Sequence, residues 1–173
     1  LQQLGVEVLF HPWMPEPRRW LRENGAQFDA VVLSRHYVAS PLLAAVRHYA
    51  PQARLVFDTV DLHYLREERE AALADREDLR RQAASTKLAE LRLIRSSDVT
   101  LVVSPIEQEL LQREVPGARI EVLSNVHELV GRRATFGERK DLFFVGGFQH
   151  PPNVDAMLQV LTERGYECLD GLD

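Results

Sequence analysis

The sequence predicts an α/β fold built on an open parallel sheet with helices on both faces. Three observations carry that expectation. Short apolar runs rich in Val, Leu and Phe alternate with longer helical patterns along the 173-residue chain. Most of these runs are continuous rather than alternating, the mark of strands buried from both sides. The stretches between them are mostly long enough for the crossover that joins two parallel strands.

Taken in order, LQQLG reads as a helix end and a glycine break before the first strand, VEVLF (Val6–Phe10). The next segment, HPWMPEPRRW (His11–Trp20), is a Pro/Trp cluster that either packs as a loop on the core or forms an aromatic platform. AVVLS (Ala30–Ser34) is a strand, and SPLLAAVRHY predicts a helix with Ser40 as N-cap and Pro41 in its first turn. RLVFD (Arg54–Asp58) is the third strand.

From Tyr64 to Ser97 there is no Pro or Gly, and Leu65, Ala72, Leu79, Ala83, Leu88, Leu91 and Ile94 thread roughly one face. This segment predicts one long helix, or two with a break near Asp75. Its charged side is either a solvated surface laced with ion pairs or a docking face. VTLVVS (Val99–Ser104) is a strand that runs into SPIEQELLQR, where Ser104, Pro105 and Glu107 form a capping-box pattern. PGAR (Pro116–Arg119) is a turn feeding the strand IEVLS (Ile120–Ser124). The pattern dissolves in ELVGRRATFGERKD, then resumes with the strand LFFVGG (Leu142–Gly147) and a helix for which Asn153 is the expected cap.

The predicted organisation is a first domain over residues 1–130, a linker over 131–140 and the truncated start of a second domain over 141–173. Starting at Leu1 and stopping soon after a helical segment, the chain reads as a piece of a longer protein. A net charge of -5 argues against a general nucleic-acid surface. No apolar run is long enough to span a bilayer. The single cysteine, Cys168, can form no internal disulfide, which fits a reducing compartment.

In open α/β sheets ligands bind beyond the carboxyl ends of the strands. Here those ends carry Ser34-Arg35-His36, Asp58 to His63, Ser104, Ser124-Asn125 and Gly146-Gly147. Each also has a purely structural reading. Asp58 caps the turn after its strand, Thr59 is a turn residue, and Asp61 is the N-cap of the next helix. His63 packs on that helix, Arg35 and His36 are exposed loop residues, Ser104 is a cap, and Asn125 is a turn residue. No Cys/His set has zinc spacing, and there is no phosphate-binding GxxxxGK[ST] loop, no GxSxG elbow and no GxGxxG fingerprint.

The order of FDAVVLSR, RLVFDTVDLHYLREER, SDVTLVVSPIEQELL, IEVLSNVHEL, a linker and DLFFVGGFQHPPNVDAMLQVL resembles bacterial glycosyltransferases of the group 1 type. That resemblance implies one half of the GT-B architecture, a Rossmann-like acceptor-side domain followed by the opening of a donor domain. It implies transfer of a sugar, with retention, from a nucleotide-sugar donor to a glycan, lipid or small-molecule acceptor. No cofactor and no metal-binding Asp-x-Asp is required, and the setting is cytoplasmic or membrane-peripheral polysaccharide biosynthesis. Asp61 and His63 are then the catalytic candidates, with Ser34, Arg35, Ser104 and Asn125 in the acceptor cleft. Gly146 and Gly147 would approach the donor phosphates. The sequence departs from the family where many members carry a T-x-H segment: Asp61 stands at that place and His63 follows. It also has Pro152-Asn153 where Lys-Gly would stand. Two other readings remain, a nucleotide-sugar epimerase of the same architecture and a non-enzymatic Rossmann-like binding module.

Overall fold

Four of the apolar runs form a single parallel sheet in the computed structural model, which describes residues 2–10, 12–14, 16–128, 131, 135–139, 144–148 and 151–164. The strands are β1 (Ala30–Ser34), β2 (Arg54–Asp58), β3 (Val99–Val102) and β4 (Ile120–Val122). They lie in sequential order, each parallel to the next. The described helices are α1 (Pro17–Asn24), α2 (His36–Tyr49), α3 (His63–Ala74), α4 (Glu77–Ser96), α5 (Pro105–Glu114) and α6 (Pro151–Arg164). None of the described helices is long and apolar enough to cross a membrane. The chain divides into two compact units, Leu1–His127 and Glu128–Asp173.

Register explains the core of the first unit. Leu33, Phe57, Thr100 and Ile120 pair across all four strands and are all buried. Leu55 and Val102 share their face and are each 1% exposed. Burial of one such aliphatic or aromatic side chain contributes roughly 1.5–3 kcal/mol. The opposite face is different. Ser34, Asp58, Leu101 and Glu121 form one rung there, none of them buried, and Val32 is 57% exposed.

The expectation of helices on both faces is therefore corrected for the described residues. Sequential strand order with right-handed crossovers carries every connecting helix to the same side. The contacts agree: α1 packs on α2, α2 on α4 and α3 on α4. Hydrogen bonds from Tyr64 and Lys87 to Glu114 join α3 and α4 to α5.

Two local expectations also change, and a third is met in one of its two forms. Residues 6–10 are not a strand; Val6 and Phe10 are exposed, so the burial that would hold a parallel strand is not supplied. Helix α2 starts at His36 rather than at Pro41, which lies inside it. The extra turn is fixed by the Arg35 carbonyl, which accepts from Val38 and Ala39 N–H, and by the completely buried Ala39. The long charged segment is two helices, with Asp75 in the left-handed conformation (φ 49°) ending α3. Within it Ala71, not Ala72, is buried, and Leu88 is 71% exposed.

In the second unit, Thr135 and Glu138 cap a short 3-10 turn. Leu142 and Phe143 of the expected strand lie outside the described residues, and Phe144–Gly147 are not in a strand. Asn153 is not the cap of α6 but lies within it, donating to the Gly147 carbonyl at 3.0 Å. A Cβ on Gly146 would sit 2.7 Å from the Phe144 ring and 2.8 Å from the Asn153 amide nitrogen, so a side chain there would require these two side chains to shift.

The amino ends of the strands are tied together by Asp98. Its carboxylate accepts from Arg47 at 3.0 and 3.2 Å and from the Leu55 N–H at 2.7 Å. The Arg47 hydrogen bonds, followed by that of Leu55, hold its carboxyl below the usual range. A depressed carboxyl stabilises the fold above its unfolded pKa of about 3.9, and that contribution is lost as pH falls through the folded value. Asp98→Asn is expected to lower stability at neutral pH and to flatten the acid limb of a urea-midpoint titration below about pH 4. An acid limb with unchanged slope would show that Asp98 is not held in this way.

Candidate functional site

The carboxyl ends of β1 and β2 build a polar cluster on two sides of the sheet edge. On the open face, the Ser34 hydroxyl donates to Asp58 Oδ2 at 2.9 Å, and Asp58 Oδ1 accepts from the Val60 N–H at 3.1 Å. Asp58 thus closes the turn after its strand. Thr59 is fully buried, and both its N–H and its hydroxyl donate to the Leu101 carbonyl. These bonds force Val60 to φ 63°, a costly conformation for a β-branched residue. Arg35 also has positive φ, 69°, at the exit from β1. The chain is bent hard at both strand ends, and the bends deliver His36 and Asp61–His63 to the helical side.

There the centre is Glu90, from the middle of α4. Its carboxylate is wholly buried and accepts the backbone N–H groups of His63 and Tyr64, each at 3.1 Å. These are among the first N–H groups of α3, which have no partner inside their own helix. The residue in the N-cap position, Leu62, offers no side-chain acceptor, so Glu90 caps α3 from another helix. Burial pushes the Glu90 carboxyl up, while its two backbone hydrogen bonds pull the other way.

Two imidazoles lie against this carboxylate. His36 Nδ1 and His63 Nδ1 are each 3.7 Å from Glu90 Oε1. Their rings meet edge to face, with centroids 4.8 Å apart, and Tyr37 stacks edgewise on both. His36 Nδ1 is buried without a hydrogen-bond partner. Burial, followed by the neighbouring His63, lowers the His36 pKa. His63 Nδ1 also lies 3.1 Å from the Asp61 carbonyl and 3.4 Å from Asp61 Oδ1.

Asp61 is the reachable member, with its side chain 39% exposed. It accepts from Arg66 at 2.8 Å and takes no part in capping α3. His63, by contrast, is covered, with only 8% of its side chain exposed. The other predicted site residues sit elsewhere. Arg35 is exposed and donates to the Tyr37 hydroxyl at 2.9 Å. Ser104 caps α5, accepting from the Glu107 N–H, while the Glu107 carboxylate accepts from Val103. Asn125 is exposed beyond β4. Gly146 and Gly147 belong to the second unit.

Sequence reasoning missed Glu90 and treated His36 as a loop residue. The only signal for Glu90 was a glutamate among the mostly apolar positions of α4, next to Leu91 and close to Ile94. A hollow of about 660 Å³ lies at the opposite, amino-terminal edge of the sheet, lined among others by Arg47, Arg54, Asp98 and Arg119. Its charged lining includes the Asp98–Arg47 tie already described, and the rim at the carboxyl ends is the better candidate for chemistry. Compared with protein-family models, curated proteins and solved structures, the chain gives no match.

Removing the Glu90 carboxylate leaves two buried N–H groups unpaired, at about 1–3 kcal/mol each. Glu90→Ala is therefore expected to destabilise the first unit by about 2–6 kcal/mol in urea denaturation. Glu90→Gln keeps one acceptor oxygen and should cost about half as much. A Glu90→Ala variant within about 1 kcal/mol of the native chain would remove Glu90 from this role.

Proposed function

We propose that this chain forms the acceptor-side part, and the opening of the donor side, of a retaining glycosyltransferase that uses a nucleotide-sugar donor. The observation that carries the reading is Asp61: a reachable carboxylate at the carboxyl rim of a parallel sheet, fixed by Arg66 and backed by His63. The order of sequence motifs supplies the reaction class. Cofactors are not needed beyond the donor itself.

In this reading the acceptor hydroxyl lies against Asp61, which orients it and takes its proton. The acceptor oxygen bonds to the anomeric carbon on the same face from which the diphosphate departs, as the bond from that carbon to the donor phosphate oxygen breaks, so that configuration is retained and the nucleoside diphosphate leaves. Charge develops on the departing diphosphate, where backbone N–H donors would help; the resemblance assigns donor binding to Gly146 and Gly147. His63 is a positioning residue, because it is buried behind Asp61 rather than open to substrate. Ser34, Arg35, Ser104 and Asn125 are the acceptor-side residues of this reading.

The test is transfer of a labelled sugar from a panel of nucleotide sugars to glycan and lipid acceptors by the full-length polypeptide. Asp61→Asn is expected to lower turnover by roughly a hundredfold, the scale of a lost acid–base group. It should leave the melting temperature nearly unchanged, because Asp61 bonds only an exposed arginine and a histidine. Unchanged turnover would end the candidacy of Asp61. Conversion of the nucleotide sugar to its epimer without an acceptor would replace the reading with the epimerase, and failure with every donor would favour a binding module.

A further inference from the structure

We infer that His36, His63 and Glu90 form a binding site for a divalent transition-metal ion of the zinc class. One donor atom from each of the three lies within 4.8 Å of the other two. Both imidazole Nδ1 atoms are 3.7 Å from the same carboxylate oxygen. Ligand atoms around a tetrahedral ion with bonds of about 2.0–2.1 Å are spaced about 3.3 Å apart, so the two Nδ1–Oε1 edges close by about 0.4 Å and the edge between the imidazoles, which lies within 4.8 Å, closes by up to about 1.5 Å through rotation of the two rings.

The surroundings suit an ion rather than a chance meeting of side chains. Glu90 is wholly buried, His63 nearly so, and His36 presents a buried ring nitrogen with no hydrogen-bond partner. The Glu90 carboxylate is already oriented by the His63 and Tyr64 N–H groups, the kind of outer support that fixes a metal ligand. Coordination through His63 Nδ1 requires its proton on Nε2 and release of the 3.1 Å contact with the Asp61 carbonyl. A water completes a four-coordinate shell. Two imidazoles with carboxylate oxygen select zinc-like ions over magnesium or calcium, which prefer all-oxygen shells. The ligands come from the starts of α2 and α3 and the middle of α4, so no local motif announces them. The site stands on this geometry and does not depend on the transfer reaction.

The test is titration of the untagged, chelator-treated full chain with Co²⁺ followed by displacement with Zn²⁺. One equivalent of Co²⁺ is expected to produce the intense visible bands of a four-coordinate ion, and Zn²⁺ to abolish them, while millimolar Mg²⁺ has no effect. His36→Gln is the decisive variant, because His36 makes no hydrogen bond through Nδ1 and its loss leaves the Glu90 cap in place. It is expected to weaken binding at least about a hundredfold, since loss of outer-shell groups alone costs about 10–100-fold. His48→Gln, at an exposed position away from the cluster, should bind like the native chain. Absence of saturable binding, the weak bands of six-coordinate Co²⁺, or binding that survives His36→Gln would each overturn the site.

Discussion

The buried carboxylate of Glu90 is the constraint from which the rest of the rim follows. A helix that begins beneath other helices must still satisfy its first N–H groups, because water cannot reach them. The usual solution is a side-chain oxygen at the N-cap, and Leu62 has none. Glu90 supplies the acceptor from α4, and in doing so fixes where α3 starts and which way its first residues face. A carboxylate with no exposure is expensive to bury. Two backbone N–H groups, followed by the adjacent His63 imidazole, reduce that cost.

The strain at the strand ends is the other half of this arrangement. Val60 is held at a positive φ by the bonds of Asp58 and Thr59 on one side and by the fixed start of α3 on the other. A relaxed Val60 would move Asp61 relative to His63, and Asp61 is the one carboxylate of the helical-side cluster that solvent reaches. Strain of this kind persists only where neighbouring bonds over-determine it. It lies in the turn that positions the candidate base.

The four strands of the sheet were legible because their apolar runs are continuous and bounded by Asp, Ser and Pro. The break at Asp75 was legible because a polar residue interrupts the apolar stripe. Helix α2 was read one turn short: Ser40-Pro41 is a good local start, yet burial of Ala39 and the bonds to the Arg35 carbonyl override it. The Glu90 cap was illegible for a similar reason. A local reading assigns α3 an N-cap from its own neighbours, here Asp61, whereas the real acceptor arrives from a helix that folds back across it. Val6–Phe10 has strand-like composition, but composition does not supply a partner layer.

The sheet itself divides the rim into two compartments. Ser34 and Asp58 share the open face with the exposed Val32, whereas Asp61, His63, His36 and Glu90 lie on the side that the helices cover. The turn after β2 crosses from one to the other within Thr59 and Val60. Arg35 stands where β1 makes the matching exit, and its guanidinium feels both the Asp61 and Asp58 carboxylates after its main partner, Tyr37. A ligand approaching this edge therefore meets two exposed arginines, Arg35 and Arg66, and two carboxylates held in different ways. Asp58 has both oxygens committed to the turn and to Ser34. Asp61 is committed only to an exposed arginine and to a histidine that Glu90 holds from behind. Of the two, Asp61 is the one whose oxygens can be given up to a ligand without undoing the fold, and that difference in commitment, more than proximity, makes it the functional candidate.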